Sequence, residues 1–189
     1  MDQAEAARIV ARLSERPLQA LAPRVVWDEV LERDIAALSP ASGRAAELAL
    51  KSGLHLWNDS LNASHTLSQD IDDATGSYWH GIMHRMEGDY SNAKYWFRRA
   101  GAHPAMRELG ERAAALLASR QAALDIGAPI GTVLSALLQT RVWDAAGFVD
   151  AVSAQMQGSG DEVSRELLEL VQREEMLNLI EYCAAQADL

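Results

Sequence analysis

The stretch Gly76–Pro104, GSYWHGIMHRMEGDYSNAKYWFRRAGAHP, decides the fold. It holds two of the five Trp, three of the four Tyr and three of the five His. Gly76 to Glu87 and Ser91 to Arg99 read as two helices joined by a tight turn at Gly88-Asp89-Tyr90. His103-Pro104 ends the pair, because the residue before proline avoids helical backbone. Set against the 34-residue tetratricopeptide (TPR) pattern, with Gly88-Asp89-Tyr90 at the turn, the small residue of the first helix falls on Gly81. The small and aromatic positions of the second fall on Ala93, Phe97 and Ala100. Small residues let two helices approach closely, and the ring fills the space between them. Pro104 arrives one position early, and the preceding pair, Ala45 to Ile71, fits only loosely.

Outward from the hairpin the chain reads as helix throughout, rich in Ala, Leu, Glu and Arg with almost no strand-like alternation. Helices are predicted over Gln3–Leu13, Arg24–Leu38 (Val26, Val30 and Leu31 inward), Ser42–Trp57, and from an Asp59 or Ser60 cap to about Ile71. Beyond the hairpin they are predicted over Ala105–Leu124, Ile130–Leu138, Val142–Met156 and Glu162–Gln186, the last capped by Asp161 with Val163, Leu167, Leu170, Leu177, Ile180 and Ala184 as its stripe. The expectation is an all-α single domain over 1–189, a TPR-like helical bundle or short irregular stack. Trp27, Trp57 and Trp143 are expected in the core.

The net charge of -10 disfavours binding to phosphate backbones, so no nucleic-acid partner is expected. No run approaches the length of a membrane helix, and the N-terminus lacks a secretory pattern, so a cytoplasmic protein is expected. The single cysteine, Cys183, makes neither an internal disulfide nor a thiolate-rich metal site. The acidic loop from Asp70 to Gly76 lacks the order of an EF-hand.

Two sets of residues carry chemistry. His80 and His84 stand at i, i+4 on one helix face with Glu87 at i+7, a spacing that can hold a divalent metal. His65 and Gln69, also at i, i+4, would join them as a polar cluster if their helix packs alongside. The alternative is a hydrogen-bonded structural network. Tyr78, Arg85, Lys94, Tyr95 and Arg98 form an aromatic-basic set suited to a peptide carboxylate or small anion. In TPR geometry Tyr78, Ile82, Arg85 and Met86 would face the groove. Ser91 and Asn92 are read as caps of the second helix.

The segments SHTLSQDID (64–72), GSYWHGIMHR (76–85), EGDYSNAKYWFRR (87–99) and HP (103–104) resemble an uncharacterised group of bacterial and fungal helical proteins, some of which carry ankyrin-type repeats in fungi. Weaker likeness extends to 142–144 and 175–184. The resemblance implies a site around these motifs but supplies no chemistry, and Met86 departs from it where a second arginine is expected. Two functions follow as expectations. One is a TPR-like binding or scaffold module for a protein, peptide or small anionic ligand, with no cofactor. The other is a metal-dependent hydrolase using His80, His84 and Glu87.

Overall fold

In the computed structural model, which describes residues 1–41, 45–120 and 126–188, ten helices follow one another and no strand occurs among the described residues. They are α1 (Gln3–Ser14), α2 (Glu29–Ala37), α3 (Ala45–Trp57), α4 (Leu61–Ser68), α5 (Ala74–Glu87), α6 (Tyr90–Ala100), α7 (Pro104–Ser119), α8 (Ile130–Thr140), α9 (Ala145–Met156) and α10 (Glu162–Gln186). The predicted start of α3 at Ser42 and end of α7 at Leu124 lie outside the described residues. Among the described residues no helix is long and apolar enough to cross a membrane.

Acidic caps set most boundaries, because a side-chain oxygen satisfies amides that the first turn leaves free. Asp28, Asp73, Asp89, Asp144 and Asp161 each accept from a backbone N–H of the helix that follows. Asp28 moves the start of α2 from the predicted Arg24 to Glu29, and the inward face turns with it. Leu31 and Ile35 are buried, whereas Val30 is 59% exposed. Asp89, rather than Ser91 or Asn92, caps α6. His103 caps α7, its Nδ1 accepting from the Ala105 amide, with Pro104 in the first turn, where a missing N–H costs nothing.

The molecule is built around α5. All of its residues from Gly76 to Met86 are buried. Such a helix needs neighbours on every side. It packs on α3, α4 and α6, and α10 closes over the remaining face. Gly53 on α3 gives room for the Trp79 indole, and Gly81 sits against the Phe97 ring of α6. Farther out, α7 packs on α8 and α10, and α9 on α6, α8 and α10. Buried apolar side chains from Ile9 to Cys183 form one continuous cluster that includes Trp57 and Trp143. Trp27 is half-buried, with the guanidinium groups of Arg12 and Arg16 over its ring.

The inward face of α10 differs from the apolar stripe read in the sequence. Val163 is 46% exposed, and Gln172, Glu175 and Asn178 point inward instead. Each meets a polar partner. Gln172 Nε2 donates to the Ala20 carbonyl and Asn178 Nδ2 to the Ala105 carbonyl, while Glu175 receives Arg85.

Candidate metal centre

On the face of α5 toward α4 and α6, three imidazoles meet. His80 and His84 come from successive turns of α5, and His65 comes from the last turn of α4. One ligand atom from each lies within 4.8 Å of the other two. The His65 ring stands edge-on to both others, at 4.6 Å from His80 and 5.4 Å from His84 between centroids. The two α5 rings are 4.8 Å apart. On its far side His80 stacks on Trp96 of α6 at 4.0 Å. His80 and His84 are buried and His65 is half-buried, so the cluster sits at the edge of the core within reach of solvent.

Further contacts fix the tautomer of His84, whereas His80 Nδ1 faces a hydroxyl that can donate or accept. The Ser68 hydroxyl is 3.4 Å from His80 Nδ1. His84 Nδ1 lies 3.1 Å from Glu87 Oε2, and His84 Nε2 lies 3.0 Å from Asn92 Nδ2. An amide NH₂ only donates and a carboxylate only accepts. His84 therefore carries its proton on Nδ1, donates it to Glu87, and accepts at Nε2. Burial pushes the His80 pKa down to about 4, helped by the neighbouring His84 and His65. Burial also lowers that of His84, against the pull of Glu87. Neutral imidazoles are the form that binds metal.

The donor set thus differs from His80, His84 and Glu87 as first spaced out. His65 brings the third ligand atom, and Glu87 holds the outer nitrogen of His84. A carboxylate there fixes the ring and raises the basicity of the opposite nitrogen. Gln69 is exposed at the C-cap of α4, away from the tight cluster. Its neighbour Ser68 takes the polar contact instead. The position of Asn92 near the turn suggests only a cap. Because Asp89 holds the cap, the Asn92 side chain is free to cross the tight turn to His84.

The aromatic-basic set does not come together as a groove. Tyr78, Ile82, Arg85 and Met86 are all buried, with Phe148 of α9 and Glu175 of α10 closing on Arg85. Arg85 is 0% exposed and donates to Glu175 Oε2 at 2.5 Å and to Gln172 Oε1 at 3.3 Å, with the Phe148 ring 4.7 Å from its guanidinium carbon. The Tyr78 ring packs edge-on to Phe97 and His103. Its hydroxyl pKa is raised well above the usual value by burial and then by the Glu175 charge. Lys94 pairs with Asp150 at 2.5 Å. Tyr95 and Arg98 are exposed. Arg99 reaches the acidic loop at Asp72. No family model, curated protein or solved structure matches the chain, so the chemistry of the site rests on its own geometry.

Proposed function

We propose that the chain is a metal-dependent hydrolase whose divalent ion is held by His65, His80 and His84. The observation that carries this reading is the convergence of three imidazole ligand atoms within 4.8 Å, from two helices. Neighbouring ligand atoms around a tetrahedral zinc stand about 3.3 Å apart, given bonds near 2.0–2.1 Å. Metal binding would have to draw the three ligand atoms together by that difference. An all-nitrogen set favours zinc, cobalt, nickel or copper over calcium or magnesium, which prefer oxygen ligands. Three protein ligands leave a fourth position for water, whose pKa the ion lowers to about 7. The groove reading draws less support, because Tyr78 and Arg85 face inward.

The test begins with tag-free protein, stripped of metal and titrated with zinc. One equivalent should bind, and His65→Ala, His80→Ala and His84→Ala should each weaken binding strongly. The zinc protein should then cleave activated esters or phosphoesters faster than the stripped protein. Folded wild-type protein that takes up no zinc would overturn the reading. Zinc uptake without any rate gain would reduce it to metal binding alone.

A further inference from the structure

Asn92 reaches the histidine cluster from α6. Its backbone amide is held by the Asp89 cap, so the side chain serves no capping role. Instead it crosses from α6 to α5 and donates to His84 Nε2 at 3.0 Å. With Nδ1 given to Glu87, Nε2 is the only His84 nitrogen left for a metal. An ion bound there lies on the same lone-pair axis that the amide hydrogen now occupies. The amide must then swing aside, and it loses its acceptor. The half-buried amide would then be free to turn to another acceptor. Were an ion bound, an oxygen in its open coordination position would be such an acceptor.

We infer that Asn92 is a catalytic residue: its side-chain N–H donates to the oxygen bound at the fourth position of the metal, and steadies negative charge there. This rests on the three-histidine reading above. A donor already placed beside the coordination sphere needs little reorganisation when charge develops on that oxygen, which is how such groups lower barriers. The same geometry makes Asn92 a competitor of the ion for His84. The free protein thus keeps His84 hydrogen-bonded on both nitrogens until metal arrives.

The experiment uses the full chain loaded with Co²⁺, whose visible absorption reports the coordination sphere, with azide as the anionic probe of the open position. In the wild type, azide should bind and shift the band. Asn92→Ala should hold Co²⁺ at least as tightly, since a competitor is gone. It should bind azide at least about tenfold more weakly, the factor expected for losing one hydrogen bond to a charged acceptor. Asn92→Gln should recover part of that loss. Unchanged azide affinity in Asn92→Ala overturns the inference and leaves the metal centre standing. So does weaker Co²⁺ binding by Asn92→Ala, which would make the residue a prop for His84. A wild-type protein that gives no cobalt band defeats the metal centre and this inference together.

Discussion

His80 sits with its ring buried, one face on Trp96 and two other imidazoles nearby, and its protonation is linked to folding. Its pKa in the folded chain is about 4 against an ordinary 6.5. Between those values the unfolded chain takes up a proton that the folded chain refuses. Stability therefore falls as pH drops through that window and is flat with respect to this group above it. The melting temperature of the wild type should drop more between pH 7 and pH 4.5 than that of His80→Gln. Equal drops would mean that His80 does not titrate differently on folding. At this scale the sequence was partly legible. The i, i+4 spacing put His80 and His84 on one face, and the neighbouring helix offered His65. Asn92 was missed because Ser and Asn near a turn also suit a cap, and only the competition won by Asp89 frees the amide.

At the scale of elements, two close approaches and one buried ion pair hold α5. A Cβ added at Gly53 would come within 2.4 Å of the buried Trp79 indole, whereas one at Gly81 would lie 3.0 Å from the Phe97 ring. Gly53→Ala should cost about 1–3 kcal/mol by overpacking and Gly81→Ala less, as read by urea unfolding. Arg85 and Glu175 are both 0% exposed in their side chains. Removing either partner strands the other charge, so Arg85→Ala or Glu175→Ala should cost about 3–5 kcal/mol. The double change Arg85→Met, Glu175→Leu should recover most of that loss. A double variant as unstable as either single one would show that the pair is not the source. Helix positions were legible through caps and apolar spacing. The partner of Arg85 was not, because an apolar stripe says nothing about polar residues turned inward, and Glu175 lies far along the chain.

For the molecule as a whole, the proposed metal joins α4 to α5 and so should stabilise the fold. A ligand at 100 times its dissociation constant adds about 2.7 kcal/mol. In a chain of 189 residues that raises the melting temperature by about 5–10 °C. Zinc should give such a shift in the wild type and none in His65→Ala. A shift of equal size in both would place the binding elsewhere. The all-helical class was legible from composition and periodicity. The closing of the bundle over α5 was not, since one hairpin that fits a repeat says nothing about whether its concave side stays open.

That closure has a consequence for biosynthesis. Arg85 and Glu175 are separated by 90 positions. A ribosome therefore delivers the guanidinium long before the carboxylate that neutralises it. Until the final helix emerges, burying the middle of the nascent polypeptide would sequester an uncompensated cation. Translation products that stop short of α10 should stay open, and folding should commit only once α10 is available.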